Sequence, residues 1–321
     1  MQQQYSKILG TGSYLPSKIL SNKDLEKMVD TSDEWIVSRS GIKERRIVAE
    51  NEKTSDMAYN AAIEAIKSSN IDKSEIDLIV IATSTPDIIF PSTACLIQHR
   101  LGITDIPAFD LQAACTGFMY GLTTADAYIK SNMAKTVLVI GVDTVSRCIN
   151  YTDRNTCVLF GDGAGAVILQ QSNEPGILRC EIHADGSGRE SLSAAGHVYD
   201  GKIVGYPYIQ MEGKAVFKMA VKNLATVANS VLGKAGYTAA QIDWLIPHQA
   251  NLRIIEATAA HLSLPMEKVI VTVDKHGNTS AASVPLALDV AVKSGKVKRG
   301  DLLLLEGVGA GFTWGASLVR Y

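Results

Sequence analysis

A thiol, an imidazole and a carboxamide each stand where the sequence changes character and could present them together. Cys115 lies in Ala113-Ala114-Cys115-Thr116-Gly117-Phe118, after the strand-like run Phe109–Leu111 and before the helical pattern Gly117–Ser131. The partial positive charge at a helix amino terminus favours thiolate over thiol, which makes a cysteine nucleophilic near neutral pH. A packed apolar cysteine is the plainer alternative. His248 closes the apolar run Trp244-Leu245-Ile246-Pro247, and Asn278 follows the run Val269–Val273 and Asp274-Lys275-His276-Gly277. Strand carboxyl ends are where α/β sheets collect catalytic groups, although a structural histidine and a turn asparagine fit the same positions. Falling together on one strand-to-helix face, the three compose a candidate site with Cys115 as nucleophile.

The elements that must position them alternate along the chain. Ile76–Ala82, Thr136–Ile140 and Ala164–Leu169 are predicted strands, and Thr54–Ser68, Gly117–Ser131, Met211–Leu232, Asn251–Leu262 and Ala281–Ser294 predicted helices. Asn251 and Thr279-Ser280 are expected helix caps. One offset of 166 residues carries Ile76-Asp77 onto Ile242-Asp243 and Gly141-Val142 onto Gly307-Val308. A period this long predicts two homologous α/β halves, 1–172 and 173–321, rather than a solenoid. Gly161–Ala166 looks like a dinucleotide fingerprint but precedes a strand-like run instead of opening a helix, so close backbone packing is expected there. Gly10-Thr11-Gly12 also lacks a following helix. The backbone N–H groups of Gly307–Phe312, between two strand-like runs, could form an oxyanion hole.

Composition removes several classes of function. The chain has 321 residues, 46% apolar and 20% charged, with a formal net charge of −2; this is a globular composition with no field to gather nucleic acid. No apolar run approaches the roughly 20 residues needed to span a bilayer, and no secretory signal opens the chain, so a cytoplasmic protein without membrane association is expected. Five cysteines without metal-ligand spacing predict neither a disulfide framework nor a metal site.

The sequences around Cys115, around Pro247-His248-Gln249-Ala250-Asn251 and around His276-Gly277-Asn278-Thr279-Ser280-Ala281 closely resemble the β-ketoacyl-acyl-carrier-protein synthase III family. The likeness runs from Gly10–Pro16 through Thr31–Ile36 and Gly161–Ala166 to Gly311-Phe312-Thr313-Trp314-Gly315. It implies a thiolase-like fold of two pseudo-duplicated halves in five layers, α-β-α-β-α. It implies ping-pong condensation of acetyl-CoA with malonyl-acyl-carrier protein through acyl-Cys115, without cofactor or metal. His248 and Asn278 would donate to the malonyl thioester oxygen, and the N–H groups of Cys115 and Ala310 would form the oxyanion hole. Coenzyme A contacts carry over to Trp35, Arg39, Arg154, Phe217, Asn251 and Arg253, and carrier-protein docking to Gln249, Arg253, Lys214 and Lys218. Phe90 matches a residue that enters the partner subunit's acyl pocket, so a homodimer is implied.

Two departures bear on specificity. Ala310 replaces a common family glycine, adding a methyl at the acyl pocket, and Ala259-Ala260-His261 replaces a basic pair used for carrier docking. A thiolase would need a second cysteine in a carboxy-terminal Cys-x-Gly, and none lies beyond Cys180. A starter synthase of secondary metabolism using another acyl-CoA fits the same three residues. A non-catalytic carrier-binding scaffold would have no need of them.

Overall fold

The structure is a computed structural model that describes residues 4–321. Its first sheet comprises β1 (Tyr5–Tyr14), β2 (Leu78–Ala82), β3 (Ala108–Leu111), β4 (Thr136–Asp143) and β5 (Gly163–Ser172), in the spatial order β1-β5-β4-β2-β3. The second comprises β6 (Ile177–Ala184), β7 (Trp244–Pro247), β8 (Leu302–Gly309) and β9 (Thr313–Arg320), in the order β7-β8-β9-β6. In each, a parallel pair adjoins two antiparallel pairings: β2 with β4 answers β7 with β8. The 166-residue offset carries Leu78 onto Trp244 and the whole of β4 onto β8, so the repeated motifs occupy equivalent strands.

Burial on both faces explains why these strands are nearly continuous apolar runs. Alternate residues of β2, β4, β7 and β8 pack inward on a shared layer made by α4 (Gly117–Lys130) and α7 (Ser283–Lys293). The opposite face of the first sheet is covered by α2 (Thr54–Ser69) and α3 (Thr93–Leu101). The opposite face of the second is covered by α5 (Gly213–Ala235) and α6 (Leu252–His261). The result is the five-layer α-β-α-β-α arrangement. The short helix α1 (Asp33–Ser40) lies beside α6. No helix among the described residues is long and apolar enough to cross a membrane.

Two expectations fail for identifiable reasons. Val269–Val273 makes only one isolated parallel bridge, between Leu245 and Val269, before a short helix begins at Val273. The N–H groups of Thr272 and Val273 are taken by Gln249 Oε1 at 2.8 and 3.1 Å, so no ladder continues. Thr279 does not cap through its side chain; the Ser280 N–H instead takes Asn278 Oδ1 at 2.9 Å. The Asn251 cap does form, its Oδ1 accepting from Arg253 N at 2.9 Å.

Candidate active site

The chain leaves β3, makes a tight 3₁₀ turn over Ala114–Thr116 and enters α4 at Gly117, which places Cys115 at the strand-to-helix junction. Ala114 has φ +47° and Ser280 φ +51°. Non-glycine residues in this left-handed region cost conformational energy and concentrate at functional sites. Each half contributes a strand end that closes on the other half's loop. A Cβ on Gly309, at the end of β8, would lie 2.7 Å from Cys115 N; one on Gly141, near the end of β4, would lie 2.3 Å from Ala281 O. Only glycine permits these approaches.

Cys115, His248 and Asn278 line one cavity of about 730 Å³, together with Ala310, Asp143, Ser280, Phe217 and Asn251. Thus the three residues separated in sequence meet at one site. His248 is 3% exposed, and its Nδ1 lies 2.5 Å from Ser283 Oγ. Burial lowers the imidazole to about 4, so the ring is neutral at pH 7. Asn278 is held by backbone bonds to Leu159 and Gly161, the latter at the start of the glycine stretch that packs closely. With Oδ1 engaged by Ser280 N, its Nδ2 remains as a donor. Neither the Cys115 nor the Ala310 N–H has a backbone acceptor among the turn and loop bonds, and the Cys115 N–H hydrogen-bonds its own thiol.

Burial pushes the Cys115 thiol up to about 11; a Ser280 hydrogen bond opposes this and the Asp143 carboxyl adds to it. A helix amino terminus by itself favours thiolate. Desolvation is the larger effect, so the resting group is a thiol near neutral pH.

The outlying candidates divide into groups. Phe217 and Asn251 line the cavity, and each reaches a basic neighbour: the Arg253 guanidinium lies 5.7 Å from the Phe217 ring, and Asn251 Nδ2 donates to Arg39 O at 3.0 Å. Arg154 lies 4.8 Å above the half-buried Trp35 ring, a cation–π contact outside the cavity wall. Lys214 and Lys218 are exposed on the first turns of α5. Phe90 is 81% exposed, beside exposed Ile88 and Ile89. Gln249 corrects a sequence expectation. It is 1% exposed, and its carboxamide bonds Pro247 O, Ile270 O, Thr272 N and Val273 N. A side chain so enclosed and satisfied cannot face a docking protein; it braces the loop beside His248.

Sequence reasoning missed Asp143, Ser280 and Ser283. Asp143 binds Ser84 N at 2.7 Å, Thr85 Oγ1 at 2.9 Å and Ala281 N at 3.3 Å, tying the end of β2 to the loop that carries Asn278. Its signal was available: a carboxylate directly after the matched Gly141-Val142 pair. Ser283 carried no local signal, because its partner is 35 residues away.

Glu306, on β8, is fully buried and neither carboxyl oxygen has a hydrogen-bond partner. Burial raises it from 4.5 to about 8. The folded state therefore keeps a proton that the unfolded chain loses, and its contribution to stability falls as pH rises from about 4.5 to about 8. His248 and His276, both lowered to about 4, act oppositely, weakening the fold as pH falls below 6.5. Between pH 6.5 and 8 the Glu306 effect is thus isolated from theirs. Glu306→Gln is expected to flatten the decline in Tm across that interval by about 2–4 °C; an unchanged slope in thermal melts would place the titration elsewhere.

Comparison with known proteins adds independent findings. Residues 109–186 match the family described as 3-oxoacyl-[acyl-carrier-protein] synthase III, and residues 232–321 its carboxy-terminal part. The chain is 60% identical over 319 residues to a β-ketoacyl-[acyl-carrier-protein] synthase III of Neisseria meningitidis serogroup B, covering 99% of this chain and 100% of the relative. A crystal structure of 3-oxoacyl-[acyl-carrier-protein] synthase III from Aquifex aeolicus VF5 superposes with a TM-score of 0.93 at 52% identity, covering 98% of this chain and 100% of the other. The priming β-ketosynthase of the R1128 polyketide biosynthetic pathway superposes with a TM-score of 0.94 at 38% identity, covering 99% and 97%.

Proposed function

The chain belongs to the 3-oxoacyl-[acyl-carrier-protein] synthase III family of condensing acyltransferases, which initiates fatty acid synthesis, and on that premise we propose how this member's residues divide the reaction. The half 1–172 supplies the nucleophile and the half 173–321 the hydrogen-bond donors. Convergence of Cys115, His248 and Asn278 on one cavity is the observation that carries the assignment.

Cys115 Sγ attacks the acetyl-CoA thioester carbon while the carbonyl oxygen accepts from the Cys115 and Ala310 N–H groups. Collapse breaks the bond to the CoA sulfur, which leaves as thiol with the proton lost by Cys115. Malonyl-acyl-carrier protein then enters, and its thioester oxygen accepts from His248 Nε2–H and Asn278 Nδ2. Loss of CO2 leaves an enolate held by these donors; its carbon attacks acetyl-Cys115 and the thioester bond to Sγ breaks, giving acetoacetyl-carrier protein and a Cys115 thiolate that takes one proton from solvent. Every step uses the two substrates and side chains or amides of the protein, with no cofactor or metal invoked.

Trp35, Arg39, Arg154, Phe217, Asn251 and Arg253 hold the CoA, with guanidinium groups for phosphate and aromatic faces for adenine. Exposed Lys214, Lys218 and Arg253 dock the carrier protein through their positive charge. The Phe90 loop inserts its apolar tip into a second copy of the chain, completing the acyl pocket in a cytoplasmic homodimer. The likeness to a priming ketosynthase, and the Ala310 methyl, favour testing other starters as a second reading.

Intact-protein mass spectrometry after mixing with a panel of acyl-CoAs, then malonyl-carrier protein, separates these. An acetyl adduct removed by the chase supports the assignment. Adducts formed only by longer or branched acyl-CoAs transfer it to the starter synthase, and no adduct with any overturns Cys115 as the acyl carrier.

A further inference from the structure

Ser283, the first residue of α7, is 1% exposed. Its Oγ has two hydrogen-bond partners, His248 Nδ1 at 2.5 Å and Gln249 N at 3.3 Å. A backbone N–H can only donate, so Gln249 occupies a lone pair of Oγ. The direction of that N–H is set firmly, because the Gln249 side chain is bonded at four points.

The hydroxyl proton then has one acceptor within reach. If the imidazole donated from Nδ1, Oγ would accept twice and its own buried O–H would be left without a partner, which is costly for a hydroxyl on a residue only 1% exposed. If the hydroxyl donates to Nδ1, every group is satisfied. The geometry points to Ser283 as a positioning residue that holds His248 in the Nε2–H tautomer through a directed chain, from Gln249 N–H to Ser283 Oγ and from Ser283 O–H to Nδ1. The remaining N–H of the ring is thereby the one presented to the cavity, ready to donate to a thioester oxygen and to the enolate that forms from it. A carbonyl at the same place would impose the opposite tautomer. This role rests on the proposed part of His248 in decarboxylation.

Nitrogen-15 NMR of the histidine-labelled full-length protein tests the tautomer directly, with the His248 signals identified by their loss in His248→Gln. Wild type is expected to show an unprotonated Nδ1 and a protonated Nε2. In Ser283→Ala that preference is expected to be lost, and CO2 release from malonyl-carrier protein to slow roughly 10- to 100-fold, by analogy with loss of the hydrogen-bond partner that orients a metal-ligating histidine. Ser283→Thr, which keeps the hydroxyl, is expected to restore both and remains informative if the alanine variant does not fold. A protonated Nδ1 in wild type, or Ser283→Ala with unchanged tautomer and unchanged CO2 release, overturns the inference. A wild-type protein that forms no acyl adduct and releases no CO2 would overturn the catalytic reading instead, leaving the tautomer result standing.

Discussion

Cys115→Ser is expected to lower condensation of acetyl-CoA with malonyl-carrier protein by about 10⁴-fold or more, as loss of a covalent nucleophile does in other acyl-transfer sites. The physical reason is specific to this pocket. Burial already pushes the thiol up to about 11, and an alcohol, far less acidic and less nucleophilic, meets the same desolvation without sulfur's reactivity. The variant is expected to show no acetyl adduct by intact mass while still releasing CO2 from malonyl-carrier protein, because the donors for that step lie on the other half. Condensation at the wild-type rate would remove Cys115 from the mechanism.

Asn278→Asp is the second large effect, and it separates the two half-reactions. The carboxylate keeps an oxygen for the Ser280 N–H, so the loop retains its anchor, but the Nδ2 donor is replaced by an acceptor. Removing one preorganised donor to a developing oxyanion costs about 10²- to 10³-fold, and a nearby negative charge deepens the loss. Decarboxylation and condensation are expected to fall by at least that factor, with the acetyl adduct on Cys115 still formed. Equal slowing of adduct formation and CO2 release would show that Asn278 acts on the fold of the site instead of on the malonyl thioester.

Much of the architecture was legible because its signals are local. Apolar runs bounded by turns located β2, β4, β5, β7 and β8, and period-3.6 patterns located α2, α4, α5, α6 and α7 to within a few residues. Gly141 and Gly307 were visible as a repeat, though not their use: a Cβ on Gly141 would lie 2.3 Å from Ala281 O in the other half, and one on Gly307 3.1 Å from Met119 Cγ in the other half. The segment 177–211 was not assigned, since β6 owes its place to β9, more than a hundred residues onward. The apolar run at Val269 resembled a strand but lost its ladder to a glutamine side chain.

The sequence by itself brought out Cys115, His248 and Asn278 as one candidate site, together with the order of most elements and the family, because residue type, spacing and hydrophobic period are properties of neighbouring residues. Tertiary structure alone decided the protonation of Cys115, the enclosure of Gln249 and the partner of His248. Those depend on desolvation and on hydrogen bonds, which are set by whatever the fold brings within a few ångströms, and here it brings groups from the opposite half of the duplication or from a helix 35 residues away.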